Sequence, residues 1–368
     1  MNFLIPLAIS FALSFALTKV ILVLCLRYKI FPQARSRDIH QKPLPRLGGI
    51  AIFIAFLIVT LAYYIFSKNN FSLSSIQVFG VDKQLLAILV SGSIVAISMS
   101  IDDLIGLRAW QKLFIQIFAT LIIISSGIGI NTLANPFGST INLNSVYIPI
   151  LQIGGITYHF SLWSDLLTLF WIVGMMNVIN FVDGVDGLAA GLSSIGSLFI
   201  FLLAIELGTS QGPIGLISII LTGSIMGFLV WNFPPAKIFM GDSGSMFIGF
   251  LLGVLPLLSG GKLATAFLVL GFPIVDGIFV AFFRILRRKN PFTTPDKTHL
   301  HHRFLLAGFS PRQAVLSLYV IAAAFGWVAL RSTTLYKILA SFVLVMVIFG
   351  LIILLNILTK RKSHAESL

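Results

Sequence analysis

Residues 177–187 have the sequence NVINFVDGVDG and join two apolar segments, near residues 163–181 and 188–207. This stretch brings two amides and two carboxylates into eleven residues of a chain that has only 12 Asp and Glu in total. Polar groups of this kind are costly next to a membrane. The stretch therefore predicts two membrane spans whose junction carries chemically active side chains.

The composition of the whole chain is that of a polytopic membrane protein. It has 368 residues, of which 57% are hydrophobic and 10% charged, and its mean hydropathy is +1.01. These values exclude an ordinary soluble domain. We predict an all-α membrane protein with a single domain over residues 1–368 and about eleven spanning helices, ten being the alternative because two segments are short. The predicted spans lie near residues 3–25, 48–66, 84–101, 111–128, 163–181, 188–207, 213–232, 243–258, 263–284, 314–331 and 336–359, the first being a retained span rather than a signal peptide.

The net charge of +13 follows the predicted topology. Most of the 25 Lys and Arg residues fall in alternate loops and in the C-terminal tail, which all lie on one side of the membrane in the predicted topology. Because basic loops favour the cytoplasmic side, we predict that this side faces the cytoplasm and that the protein lies in the inner (plasma) membrane. The basic charge therefore does not indicate nucleic acid. The single cysteine, Cys25, excludes a disulfide framework and a cysteine metal site. The longest loop on the opposite side, residues 129–160, has room for a short hairpin.

Four polar motifs all fall on the side predicted to be cytoplasmic. Asp102 and Asp103 end a span, and because neighbouring helical residues point about 100° apart, they suit different roles better than shared ligation. The alternative is simple helix capping. In the second motif, residues 177–187, the polar residues recur every three positions and drift by about 60° per step, so they need the turn that the glycines permit in order to converge.

The third motif is Gly241-Asp242-Ser243-Gly244, at a predicted helix start. Asp242 either occupies an ordinary cap position or holds a hard cation that prefers oxygen ligands. The fourth motif runs from Pro295 to Arg303. Its histidine spacing matches no usual zinc site, and its imidazole, lysine and arginine groups suit a phosphate-bearing ligand, with a solvated loop as the alternative. The basic, proline-rich segment His40–Gly49 is interpreted mainly as an entry turn.

Together these groups are typical of metal-assisted phosphoryl transfer. Carboxylate and amide oxygens suit Mg²⁺, or Mn²⁺, and the basic groups suit a polyphosphate. Phosphoryl transfer needs mainly positioning and charge neutralisation. A site in the cytoplasmic loops, at the membrane surface, would accept one substrate from water and the other from lipid.

The four motifs, in this order, resemble those of the polyprenyl-phosphate N-acetylhexosamine-1-phosphate transferases, and most closely the bacterial undecaprenyl-phosphate N-acetylglucosamine-1-phosphate transferase group. The resemblance extends from about Arg37 to Arg312. It implies transfer of a sugar 1-phosphate from a UDP-sugar to a polyprenyl phosphate, with release of UMP. The expected partners are those two substrates and the membrane. No nucleic acid is expected, and a homodimer is left open.

The resemblance also implies roles for individual residues. Asp102 and Asp103 would be catalytic, at the lipid phosphate, and Asp242 would bind Mg²⁺ with Asn180 assisting. The substrate-binding residues would be a diphosphate-binding lysine, residues that line the nucleotide-sugar pocket, and basic residues of the fourth motif. These are Lys112, Asn177, Asp183, Asp186, Lys297, His299, His301, His302 and Arg303.

Three other functions fit the sequence less well. The sister branch that uses UDP-MurNAc-pentapeptide typically has His-His-His-Phe-Glu, whereas this chain has His299-x-His301-His302 and Leu305 after Phe304. A CDP-alcohol phosphotransferase would need further spaced aspartates after Asp183. An ion-coupled transporter fits Asp276, which lies within a span, but no inverted repeat is visible.

Overall fold

The structure is a computed structural model that describes residues 2–31, 44–66, 71–135, 138–153, 156–208, 212–259, 263–286 and 300–366. This part of the chain is mainly helical. The helices are α1 (Leu4–Arg27), α2 (Gly48–Phe66), α3 (Lys83–Ile105), α4 (Ala109–Ser125), α5 (Leu162–Val182), α6 (Leu188–Glu206), α7 (Gly212–Asn232), α8 (Gly241–Leu258), α9 (Leu263–Val269), α10 (Gly271–Leu286), α11 (Leu300–Leu306), α12 (Pro311–Arg331) and α13 (Thr334–Glu366).

Three small antiparallel strand pairs accompany the helices. They are β1 (Gln77–Val78) with β2 (Val81–Asp82), β3 (Thr132–Leu133) with β4 (Ile141–Asn142), and β5 (Tyr147–Ile153) with β6 (Ile156–Ser161). The last two pairs lie in the loop of residues 129–160. The hairpin that the sequence predicted there is confirmed.

The helical, membrane-spanning architecture is confirmed, and the span count among the described residues agrees with the predicted alternative of ten. Among the described residues, nine helices are long and apolar enough to cross a membrane, or ten if the broken pair α9 and α10 counts as one span. That pair is bent by 81°, where Gly271 and Pro273 follow the break and disfavour a continuous helix. The remaining predicted span, 111–128, is α4, whose 17 residues reach only about 26 Å.

Burial places α8 at the centre of the bundle. In the most apolar 18-residue segment of each helix, 89% of the residues of α8 are buried, compared with 22% for α1 and for α13 at the periphery. The start of α8 carries Asp242, and the ends of α3 and α5 and the start of α4 meet it. We name this end of the bundle, marked by Asp102, Lys112, Asn180 and Asp242, the site end.

The segment before α2 fixes the start of α8. The amide of Phe239 donates to the carbonyl of Pro45 (2.8 Å), and the amides of Gly48 and Gly49 donate to the carbonyls of Phe239 (3.0 Å) and Met240 (2.8 Å). A side chain on Gly49 would collide with the backbone of Gly244. The glycine pair of the predicted entry turn is therefore needed for the close approach of α2 to α8.

We expect Gly49→Ala to lower the thermal-unfolding midpoint of the purified protein. The added methyl group has no space against Gly244, and overpacking of this kind costs about 1–3 kcal/mol. The matched control is Gly174→Ala, because an added methyl group there meets no atom within 4 Å. Equal midpoints for the two variants would contradict the close α2–α8 contact.

Candidate active site

Lys112 connects two of the carboxylates at the site end. Its Nζ lies 2.5 Å from Oδ2 of Asp102 and 2.6 Å from Oδ2 of Asp242. The other oxygen of Asp242 accepts a bond from Nδ2 of Asn180 (3.0 Å), which also donates to Oγ of Ser245 (2.9 Å). Residues from α3, α4, α5 and α8 thus converge on the Asp242 carboxylate.

The adjacent carboxylates of Asp102 and Asp103 have different partners. Besides Lys112, Asp102 accepts the amide of Leu107 at 2.6 Å. Asp103 accepts the amides of Asp242 (2.8 Å) and Ser243 (3.0 Å), so it caps the N-terminus of α8 from another helix. The helical offset noted from the sequence explains why the two side chains diverge.

Gly241 makes this cap possible. Its φ is +75°, a region that favours glycine, and a side chain would collide with the carbonyl of Arg46 and the carboxylate of Asp103. Only the absence of a Cβ lets Asp103 reach the first amides of α8. The glycine of the third motif therefore serves to position Asp242.

The donor set fits a hard divalent cation. Oxygen atoms of Asp102, Asp103 and Asp242 lie within 4.8 Å of one another, and carboxylate oxygens are the usual ligands of Mg²⁺ and Mn²⁺. The ammonium of Lys112 shows that this position attracts positive charge. Both oxygens of Asp103 accept backbone amides, whereas Oδ2 of Asp102 and Oδ2 of Asp242 accept the ammonium of Lys112, a side chain that a cation can displace, so Asp102 and Asp242 are the better ligands.

The loop after α5 faces the same cluster. Burial raises the pKa of Asp183 to about 7, with repulsion from Asp242 and Asp103 adding to the shift and Arg46 opposing it. Oδ2 of Asp186 accepts the amide of Ala236 at 2.9 Å. Asp183 therefore lies beside the carboxylate cluster, whereas Asp186 ties the loop to the segment before α8.

The end of this loop is anchored by two residues that the sequence motifs did not include. The amide of Gly187 donates to Oδ1 of Asn232 (3.0 Å), and its carbonyl accepts the hydroxyl of Tyr319 (2.5 Å). Asn232 ends an apolar span and was a visible signal. Tyr319 lies in the middle of α12, where nothing in the local sequence indicates a contact with the loop.

The histidine motif divides in the structure. His301 is buried, and its Nε2 lies 3.1 Å from where a Cβ on Gly184 would be, so it packs on the loop after α5. The ring of His302 lies 4.5 Å from the ring of His301. Arg303 instead donates to Asn356 of α13 at 2.6 Å. Lys297 and His299 lie outside the described residues.

Two further polar residues lie away from the carboxylate cluster. Nδ2 of Asn177 donates to Oε1 of Gln116 at 2.9 Å, about one helical turn deeper in the bundle than Asn180. Gln116 was missed, although a glutamine four residues after Lys112 in an apolar helix was a usable signal. Asp276, which suggested a transporter, accepts the amide of Leu300 at 2.9 Å and so supports the start of α11.

Comparison with known proteins finds one family model and several relatives that are similar to this chain. The family model "Glycosyl transferase family 4" matches residues 85–260, which contain Asp102, Lys112, Asn180 and Asp242. The chain is 34% identical over 352 residues to a probable undecaprenyl-phosphate N-acetylglucosaminyl 1-phosphate transferase of Bacillus subtilis, covering 94% of this chain and 87% of the relative.

Two other relatives differ in their sequence identity to this chain. A decaprenyl-phosphate N-acetylglucosaminephosphotransferase of Mycolicibacterium smegmatis is 35% identical over 323 residues, which are 81% of this chain and 74% of the relative. A phospho-N-acetylmuramoyl-pentapeptide-transferase of Staphylococcus carnosus is 26% identical over 339 residues, 88% of this chain and 96% of the relative. The pentapeptide branch is thus the more distant of the two.

Proposed function

Because this chain belongs to glycosyl transferase family 4, among the polyprenyl-phosphate N-acetylglucosamine-1-phosphate transferases, we propose that it transfers GlcNAc-1-phosphate from UDP-GlcNAc to undecaprenyl phosphate. An oxygen of the lipid phosphate forms a bond to the sugar-bearing phosphorus. The bond from that phosphorus to the bridging oxygen breaks, and UMP leaves with that oxygen. The products are undecaprenyl-diphosphate-GlcNAc and UMP.

The convergence of Lys112, Asp102, Asn180 and Asp242 is the observation that supports this chemistry best. Asp242 and Asp102 would hold Mg²⁺ or Mn²⁺, which supplies charge neutralisation for the diphosphate. Lys112 is within reach to bind the same diphosphate. Since the lipid phosphate is ionised near neutral pH, we assign Asp102 to orienting it, and Asp103 to holding α8.

The remaining assignments follow the geometry at the site end. Asp183 and His301 line the side of the site formed by the loop after α5, where the UDP-sugar would bind. The distribution of Lys and Arg supports a cytoplasmic location for this end, where a nucleotide sugar would be available. The sister reaction with UDP-MurNAc-pentapeptide is disfavoured by the lower identity to that branch. The homodimer stays a prediction.

The test uses purified protein with labelled UDP-GlcNAc, undecaprenyl phosphate and MgCl₂. We expect a lipid-linked GlcNAc diphosphate and one UMP per product. A parallel reaction with UDP-MurNAc-pentapeptide should give no product. Product from the pentapeptide substrate alone would assign the protein to the sister branch, and no lipid product from either donor would reject the proposed function.

Removal of divalent cations should abolish this activity. EDTA withdraws the cation that the carboxylate cluster is proposed to hold, and Mg²⁺ or Mn²⁺ added in excess should restore turnover. The loss should be reversible, and the thermal-unfolding midpoint in EDTA shows whether the fold stays intact. Undiminished turnover in EDTA would show that the reaction needs no divalent cation.

A further inference from the structure

A second group of contacting side chains lies beneath the site on the same three helices. We name Lys112, Asn180 and Asp242 the site layer, and Gln116, Asn177 and Met246 the deeper layer. Each deeper residue is three or four positions from its site-layer partner on α4, α5 or α8, which is about one turn. Nε2 of Gln116 lies 3.4 Å from Sδ of Met246, and Oε1 accepts the Asn177 amide at 2.9 Å.

Gln116 lies on the narrow face by which α4 is attached to the bundle. The buried residues of α4 are Gln116, Ala119, Thr120 and Ile123, and Gln116 is only 1% exposed. The opposite face is open, with Trp110 and Phe114 about two thirds exposed. In lipid the apolar residues of an open face give no net drive for helix association, so packing and interhelical hydrogen bonds must fix α4 in place.

Asn177 has no amide hydrogen left for a ligand. One is donated to Gln116 and the other to the carbonyl of Val173 in its own helix, at 2.9 Å and 2.8 Å. The amide hydrogens of Asn177 therefore take no part in the substrate-binding role that the family resemblance implies for this residue. The arrangement instead joins α4 to α5 directly below the point where Lys112 and Asn180 meet Asp242.

We propose that Gln116 and Asn177 are a positioning pair: their hydrogen bond sets α4 against α5 so that Lys112 and Asn180 reach the same carboxylate. The expected effect on turnover rests on the proposed function, whereas the position of α4 against α5 does not. A displacement of about 1 Å in a positioned group can reduce turnover by about a hundredfold. The pair should therefore affect kcat, and any change in the KM for UDP-GlcNAc, whose diphosphate Lys112 is proposed to bind, should be the same whichever partner is replaced.

The kinetic test compares Gln116→Leu and Asn177→Leu with wild type. Each should lower kcat about tenfold or more, and the KM for UDP-GlcNAc should agree between the two variants to within about twofold. The double variant should be no slower than the slower single variant, because both remove the same bond. The exchanged pair Gln116→Asn with Asn177→Gln should recover most of the lost kcat.

The matched control is Thr120→Val. Thr120 is buried on the same face of α4, but its hydroxyl bonds only to the carbonyl of Gln116 in its own helix (2.7 Å). This variant should keep wild-type kcat. A rise in KM for UDP-GlcNAc in Asn177→Leu alone would overturn the proposal in favour of direct substrate contact. Additive losses in the double variant, or a folded exchanged pair that recovers no kcat, would also overturn it.

A distance measurement tests positioning without relying on activity. Spin labels at Phe114→Cys on α4 and Phe170→Cys on α5, both exposed positions, would be introduced in a Cys25→Ser background. The distance distribution should broaden or shift with Gln116→Leu and stay unchanged with Thr120→Val. Unchanged distances in both would overturn the proposal even if the protein catalysed a different reaction.

Discussion

Asp242→Asn should reduce turnover by roughly a thousandfold or more, because it removes the charge on which the site layer converges. The asparagine has nearly the same size, so the backbone bonds from Asp242 and Ser243 to Asp103 can persist. The neutral amide cannot neutralise Lys112 or bind a divalent cation strongly. Initial rates of lipid-linked product formation, measured at equal amounts of folded protein, give the effect.

The control for this substitution is Asp165→Asn. Asp165 also lies in the first turn of a spanning helix and accepts a backbone amide, that of Ser161 at 2.8 Å, but it is at the other end of α5. Its turnover should stay within about twofold of wild type, since it contacts no residue of the site layer. Full turnover in Asp242→Asn would remove Asp242 from the cation site.

Lys112→Met should have two opposite effects, with turnover falling about a hundredfold or more and the affinity for Mn²⁺ rising. The ammonium lies between the carboxylates of Asp102 and Asp242, where it neutralises the groups proposed to hold the cation. Two unit charges about 4 Å apart interact by about 1 kcal/mol in water and about 4 kcal/mol near a protein surface. Removing the lysine should therefore tighten Mn²⁺ binding about tenfold or more.

Two variants separate the local charge from general effects. Lys112→Arg keeps the positive charge and should not tighten Mn²⁺ binding. Lys237→Met removes a lysine whose ammonium lies over the ring of Trp231, 5.2 Å from its centre, and should leave the affinity close to wild type. Titration of Mn²⁺ by electron paramagnetic resonance measures all three. Equal or weaker binding in Lys112→Met would show that Lys112 does not compete with the cation.

The helical segments were predictable because long apolar runs carry their own signal. The second predicted span, 48–66, coincides with α2, and α5, α6 and α7 begin and end within one residue of the predicted bounds. The break between α9 and α10 was missed, since apolarity alone does not show where a span bends. The short helix α4 lies within the predicted span 111–128 at its C-terminal end and begins two residues before it.

The site was predictable in its residue types and only partly in its contacts. Asp102, Asp242 and Asn180 come together as the motif order suggested. The cap that Asp103 gives to α8 joins residues 139 positions apart, and no local periodicity encodes such a pairing. The Gln116–Asn177 bond and the turning of Arg303 toward Asn356 likewise depend on how helices pack.

The cap on α8 also has a consequence for the order of biosynthesis. A ribosome adds about 5–20 residues per second, so Asp103 exists for about 7–28 s before its partner amides are made. During that time its carboxylate needs water or another polar partner. Its place at the end of α3, not in the middle, lets the nascent chain keep this acid at the membrane surface until α8 inserts. Release of the ribosome before α8 is complete would leave Asp102 and Asp103 without the Asp242 carboxylate that completes the cluster.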